Sequence, residues 1–156
     1  MVTLTKKCKN KILLIIITVS VICIDLIIKH FIKLNKPNLY ITPFLSFIYV
    51  ENRGAGFGIL NNSLNLLILI GFVFIITVLF YTPKIILLNK YKIISISLIL
   101  GGAIGNLISR LKDGFVTDFI DIHISYVHWP TFNVADICLV IGTITYIILN
   151  LKKKKN

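Results

Sequence analysis

Four apolar stretches constrain this chain more than any other feature of its sequence. A helix that crosses a hydrocarbon core of about 30 Å needs roughly 20 residues, and each stretch is long enough, or nearly so. The sequence therefore predicts an integral membrane α-helical protein, a four-transmembrane-helix bundle that forms a single membrane-embedded domain over residues 1–156. The spans are expected at about residues 12–28, 64–81, 93–111 and 132–151.

Composition and charge agree with a membrane protein. Hydrophobic residues make up 56% of the chain and the mean hydropathy is +0.90, yet the net charge is +11. Most of the 17 basic residues lie in the N-terminal tail, between the second and third spans, and in the C-terminal tail. By the positive-inside rule both termini are predicted to be cytoplasmic, with the other two connections outside. Attraction of this basic fringe to anionic membrane lipids explains the charge, so no nucleic-acid partner is expected.

The first outer connection, residues 30–63, combines β-prone runs with a glycine-rich segment. LYIT and FLSFIYV favour strands, so we expect a small β-sheet on the extracytoplasmic surface. In the following ENRGAGFG, Gly54, Gly56 and Gly58 indicate a backbone that bends sharply or lets a ligand approach closely. That they are only loop glycines remains an alternative.

The second outer connection places carboxylates among apolar residues in FVTDFID. If residues 116–124 are extended, alternation puts Asp118 with Ile120, Ile122 and Ile124 on one face of the strand. Asp121 then lies on the opposite face with Phe119 and His123, and we expect that face to be the wetter one. Asp118 is thus predicted to be a lone carboxylate on an apolar face.

The segment FNVAD begins the fourth span and contains a second carboxylate. Asn133 is a good N-cap and Asp136 falls in the first helical turn, where free amides favour a negative charge, so a purely structural role is one interpretation. The other is functional, because an ionisable group at the lip of a span is costly and needs a partner. Asp118 is the obvious partner. Two carboxylates in a low dielectric share a proton, and such a pair can activate water against a peptide carbonyl.

Other polar residues fit around such a pair. Asn106 and Arg110 share a face of the third span, and Asn52 and Asn133 can donate hydrogen bonds to a substrate backbone or to the carboxylates. In the same span Gly101 and Gly105 form a GxxxG motif, which permits close helix packing.

Two further polar pairs receive structural interpretations. Asp25 and Lys29, four residues apart in the first span, are expected to form a local ion pair that anchors its outer end. His123 and His128 have no defined third partner, so neither a metal site nor a cofactor is predicted.

Four ordered motifs give the chain a resemblance to a known family. NRGAGFG, GGAIGNLISR, DGFVTDFID and FNVAD, set on four spans, resemble those of the lipoprotein signal peptidase family, also called signal peptidase II. The resemblance covers nearly the whole chain. It implies an aspartic endopeptidase of the bacterial cytoplasmic membrane, with its active site toward the extracytoplasmic face. The implied substrates are prolipoprotein signal peptides, cut before a diacylglyceryl-modified cysteine, and the implied inhibitors are of the globomycin type.

The resemblance also implies roles for individual residues. Asp118 and Asp136 match the catalytic pair of the family, and five others match substrate-binding or site-shaping positions: Asn52, Gly54, Asn106, Arg110 and Asn133. The chain departs from the family pattern at Ser109, where the usual GNLxDR has an acid, and at Gly56, where a second alanine is common. Both catalytic acids are present, so activity is still expected. Two alternatives stay open: a small proton-coupled carrier with Asp118 and Asp136 as its relay, and, because of Ser109, a catalytically inactive assembly partner.

Overall fold

A computed structural model describes residues 4–54 and 63–151. It contains four helices and four strands within those ranges. The helices are α1 (Leu4–Asn35), α2 (Leu64–Ile85), α3 (Lys90–Asp113) and α4 (Val134–Leu151). The strands are β1 (Asn38–Thr42), β2 (Leu45–Asn52), β3 (Val116–Ile124) and β4 (Val127–His128).

All four predicted spans are confirmed as helices long and apolar enough to cross a membrane. The third helix, α3, has a capping residue at each end. The Asn89 side chain accepts a hydrogen bond from the backbone N–H of Lys92 at 3.0 Å, which caps the start of α3. Gly114, with φ of 78°, ends α3 in the left-handed conformation that glycine adopts without strain. The turn after α3 therefore sends the chain directly into β3.

Helix α3 lies at the centre of the bundle, between α1 and α4, because glycines let its neighbours approach. A Cβ added at Gly101 would lie 2.7 Å from the Cβ of Val21 in α1, and one added at Gly102 would lie 2.4 Å from the backbone oxygen of Ala135 in α4. The close packing predicted for the motif of Gly101 and Gly105 is confirmed, because a Cβ added at Gly105 would also lie 2.7 Å from a side-chain atom of α1, Oδ2 of Asp25. Helix α2 packs against α3 and leaves an apolar face uncovered by protein, as expected for a lipid-facing surface.

Polar contacts hold together the end of the bundle away from the sheet. The Asn10 side chain donates to the backbone oxygen of Ile86 at 2.8 Å, which ties the start of α1 to the α2–α3 connection. Lys92, at the start of α3, donates to the side chain of Asn150 near the end of α4. The first turns of α1 and the last turns of α4 therefore share one end of the bundle, and the sheet occupies the other.

The sheet is antiparallel with strand order β1-β2-β3-β4, so it joins both connections at that end. Sequence periodicity indicated strands in both connections but could not pair them. Val50 lies opposite Asp118 and Phe47 opposite Ile120, so two residues of β2 face the single Phe119. This bulge shifts the register. As a result Asn52, at the end of β2, reaches the site that contains Asp118.

The predicted exposure of the two faces of β3 is wrong in its outer half. Asp121 and His123 are 3% and 7% exposed, whereas Ile122 and Ile124 are 44% and 78% exposed. Alternation separates the faces, but the elements packed against the strand decide which face is covered. In a membrane protein an apolar face can be left to lipid while polar groups turn inward to find partners.

Candidate active site

Asp118 is held on both of its oxygens by amide groups. It lies in β3, and its side chain is almost completely buried, at 1% exposure. The Nδ2 of Asn133 donates to Oδ1 at 2.6 Å, and the Nδ2 of Asn52 donates to Oδ2 at 2.8 Å. Both donors are neutral, so they satisfy the carboxylate without cancelling its charge.

Asp136 stands in the first turn of α4 and forms a reciprocal cap with Asn133. The backbone N–H of Asp136 donates to Oδ1 of Asn133 at 3.0 Å, and the backbone N–H of Asn133 donates to Oδ2 of Asp136 at 3.2 Å. The capping interpretation is thus confirmed. It leaves Oδ1 of Asp136 available, and this atom accepts from the Nδ2 of Asn106 at 2.8 Å. Asn133 therefore connects Asp118 and Asp136 through one side chain.

Lys29 fixes the orientation of Asn106. Its Nζ lies 2.8 Å from Oδ1 of Asn106 and 2.6 Å from Oδ2 of Asp25. An ammonium group only donates, so the amide atom that faces it must be the oxygen. The Nδ2 of Asn106 then has to point toward Asp136. The local ion pair predicted between Asp25 and Lys29 is confirmed, but it is buried within the bundle and supports the site rather than anchoring the end of α1.

Asp25 also reaches the segment that carries Asp136. Its Oδ1 accepts from the backbone N–H of Ala135 at 2.9 Å. A Cβ added at Gly105 would lie 2.7 Å from Oδ2 of Asp25, so this glycine is what admits the carboxylate between α1 and α3. This support was not predicted from the sequence, although a carboxylate and a lysine inside an apolar span were a signal for it.

Both carboxylates line one cavity of about 770 Å³. Asn52, Asn106 and Arg110 also line it, and most of the remaining wall is apolar, from α4 and the segment before it. A cavity of this kind suits a ligand that is mainly apolar with a few polar groups. The side chain of Asn133 is fully buried behind the two carboxylates, so it positions them rather than facing the cavity.

Arg110 joins the cavity to the start of the glycine-rich segment. Its guanidinium donates to the backbone oxygen of Gly54 at 3.0 Å, and the backbone N–H of Gly54 donates to Oδ1 of Asn52 at 2.9 Å. Nε of Arg110 is buried and has no partner among the described residues. Gly56 and Gly58 lie outside the described residues, so the expectation about them stays a prediction.

The electrostatic environment distinguishes Asp118 from an ordinary carboxyl. Burial and the nearby negative charge of Asp136 raise the pKa of Asp118 to about 6, and the hydrogen bonds from Asn52 and Asn133 only partly oppose this. A carboxyl that gains and loses its proton this close to neutrality is suited to acid–base chemistry.

Two other residues stand apart from the cavity. Ser109 is buried and donates to the backbone oxygen of Gly105 at 3.1 Å, beside a smaller cavity that Lys29 and Lys33 also line. Asp121 contacts both His123 and His128, so the premise that these histidines lack a third partner is wrong.

The four apolar helices, the small antiparallel sheet and the cavity at one end of the bundle define a multi-pass membrane protein with a polar site. The family model for signal peptidase II matches residues 17–152. The chain belongs to the signal peptidase II family, and is accordingly a protease that processes signal peptides. This membership does not favour the proton-carrier alternative.

Individual relatives agree with that assignment. The lipoprotein signal peptidase of Clostridium novyi (strain NT) is 43% identical over 74% of this chain and 78% of its own length. The lipoprotein signal peptidase of Clostridium tetani (strain Massachusetts / E88) is 41% identical over 89% of this chain and 92% of its own length.

Two bacterial membrane enzymes solved by the in meso method are similar in fold. The one at 2.3 Å has a TM-score of 0.82 and 33% identity, covering 90% of this chain and 88% of that one. The one at 1.9 Å has a TM-score of 0.78 and 34% identity, covering 89% of this chain and 92% of that one.

Proposed function

We propose that this protein is an aspartic endopeptidase, a single membrane-embedded domain that removes signal peptides from prolipoproteins by cutting before a diacylglyceryl-modified cysteine. The observation that carries the proposal is the shared cavity. Asp118 and Asp136 both line it, and side-chain amides rather than cations hold them there. Two carboxylates so placed can hold one proton between them, which is the requirement for a general acid–base pair.

In the proposed reaction Asp118 carries the proton and Asp136 is the base. Asp136 takes a proton from a water molecule as the water oxygen bonds to the scissile carbonyl carbon. Asp118 then gives its proton to the peptide nitrogen as the C–N bond breaks. The raised pKa of Asp118 supports this assignment, because this carboxyl keeps its proton up to a pH of about 6. Proton exchange restores the starting state.

The remaining predicted site residues divide between contact and support. Asn52, Asn106 and Arg110 reach the cavity and can donate to substrate carbonyl oxygens, whereas Asn133 positions the carboxylates. Arg110 holds Gly54 through its backbone oxygen and so places the start of the glycine-rich segment beside the substrate. The apolar wall of the cavity suits a signal helix and acyl chains.

The position of the site agrees with a lipid-anchored substrate. The carboxylates lie at the end of the bundle that carries the sheet, opposite the basic first turns of α1 and the end of α4. We infer that both termini are cytoplasmic and that the site faces the extracytoplasmic side of the bacterial cell membrane. A cysteine whose acyl chains stay in the bilayer then presents its neighbouring peptide bond at the level of the cavity.

The direct test is cleavage by the purified protein in detergent micelles or lipid. The substrates are a diacylglyceryl-modified precursor and the same precursor without the lipid. We expect cleavage before the modified cysteine only with the lipidated precursor, and inhibition by globomycin. Mass spectrometry of both products locates the cut. Equal cleavage of the two precursors, or a cut elsewhere, would contradict the proposed specificity.

A further inference from the structure

A second polar cluster lies on the β3–β4 hairpin and takes no part in the proposed reaction. Asp121 and His123 are two residues apart in β3, so their side chains share a face, and His128 is the cross-strand partner of His123. A two-residue turn at Ser125 and Tyr126 brings the second histidine back over the first. Sheet geometry alone therefore places a carboxylate and two imidazoles on one side of the hairpin.

The ligand atoms of these three side chains are close together. Nδ1 of His128 lies 2.9 Å from Oδ1 of Asp121, and Nδ1 of His123 lies 3.1 Å from Oδ2. One ligand atom from each residue can be chosen so that all three lie within 4.8 Å of one another. In a tetrahedral zinc site with bonds of about 2.0 to 2.2 Å, neighbouring ligand atoms lie about 3.4 Å apart. The two contacts to Asp121 already lie close to that spacing.

The hydrogen bonding of the cluster is incomplete. The contact between His128 and Asp121 has the geometry of a hydrogen bond. Nδ1 of His123 is buried and makes no hydrogen bond, although Oδ2 of Asp121 is only 3.1 Å away. When the imidazole of His123 carries its proton on Nε2, its Nδ1 and this carboxylate oxygen both present lone pairs toward the space between them. A cation bound by both satisfies the nitrogen and the carboxylate together.

We propose that Asp121, His123 and His128 bind one Zn²⁺ ion. Two imidazoles and a carboxylate are ligands that zinc accepts, and three protein ligands leave a fourth position open. That position faces the medium, because the side chain of His128 is 54% exposed while the other two are buried. The ion would fasten β4 to β3, three residues beyond Asp118. This goes beyond the proposed proteolysis and does not depend on it.

The test measures metal binding rather than cleavage. The full chain, purified on an affinity tag without histidine, is stripped with a chelator and titrated with Zn²⁺ by calorimetry. Co²⁺ serves as a spectroscopic substitute. We expect one ion per chain with a Kd at or below about 10 μM, weakened at least about tenfold, or about 1.4 kcal/mol, in His128→Ala and in Asp121→Asn. Zinc-edge absorption should show two imidazole ligands.

The control is the remaining histidine of the chain, because the sequence contains only three. His30 lies exposed on α1, so His30→Ala should bind Zn²⁺ as tightly as the unchanged protein. His128 is largely exposed, so its replacement should not disturb folding, and circular dichroism checks this. Absence of binding to the unchanged protein at about 100 μM Zn²⁺, or equal binding by all variants, would overturn the proposal.

Discussion

Asp25 and Asp118 are both almost completely buried, at 0% and 1% exposure, but their partners differ in kind. Asp25 lies against the ammonium of Lys29 at 2.6 Å and a backbone N–H at 2.9 Å. Asp118 has two side-chain amides, at 2.6 and 2.8 Å. A cation cancels the buried charge, whereas an amide only solvates it. The first carboxylate is held in an ion pair inside the bundle, whereas the second lies in the wall of a cavity, where it can exchange a proton with a bound molecule.

Asn106 connects these two arrangements. Its oxygen accepts from Lys29 and its nitrogen donates to Asp136. The ion pair in α1 therefore acts on the cavity through the orientation of this amide, and Asp25 also holds the backbone of Ala135 beside Asp136. We therefore expect substitutions at Asp118 and Asp136 to abolish cleavage while the protein stays folded. Substitutions at Lys29 should lower the stability of the bundle before they affect cleavage.

The largest expected effect is on cleavage when either cavity carboxylate is neutralised. Asp118→Asn and Asp136→Asn should each lower kcat/KM on the lipidated precursor by at least about a thousandfold, because proton transfer to or from that position is lost. The matched control is Asp113→Asn, since Asp113 pairs with Lys33 at 2.7 Å outside the cavity. Full cleavage by either cavity variant would exclude the proposed mechanism.

The next effect is on stability when the ion pair is broken. Lys29→Met leaves the carboxylate of Asp25 buried without its cation, and we expect a loss of about 3 kcal/mol in the free energy of unfolding. The double variant Asp25→Asn, Lys29→Met should recover most of that loss, because no charge then stays unpaired. Thermal unfolding in detergent measures both. A single variant as stable as the unchanged protein would show that the pair does not support the bundle.

A smaller effect is expected in the pH dependence. The pKa of Asp118 is raised to about 6, so its proton is held at lower pH and lost as the pH rises through that value. The kcat/KM should therefore fall on the alkaline side of about pH 6. Asn52 stabilises the ionised form, so Asn52→Leu should raise this pKa and move the fall upward by about one pH unit. The control is Asn35→Leu, at the exposed end of α1. An unmoved profile would contradict the assignment to Asp118.

The smallest effect is expected at Ser109, where the family usually has an acid. The serine is bonded to its own helix and does not line the cavity of Asp118 and Asp136. Ser109→Asp should therefore change kcat/KM by less than about tenfold. A large gain from a negligible baseline would instead show that the natural chain is impaired and would favour the inactive assembly partner.

The sequence was sufficient for the spans and for the N-cap of α4 because both depend on neighbouring residues. Hydropathy over about 20 residues predicted the four helices, and Asn133 with Asp136 predicted the start of α4. The extended segment assumed at residues 116–124 coincides with β3, but the prediction of which face of its outer half is covered was wrong. The burial of Asp121 depends on the β3–β4 hairpin and on the elements packed against that hairpin. Neither is specified by the sequence of the strand alone.

By itself the sequence determined a four-helix membrane protein with two carboxylates available near one end of the bundle. The spacing of apolar residues carries that information, because each span must satisfy its own backbone in lipid. Only the tertiary structure decided which polar groups meet. Lys29 reaches Asn106 across 77 residues of sequence, and Asn52 reaches Asp118 across 66. Such contacts depend on how helices and strands pack, because each donor finds its acceptor on a different element.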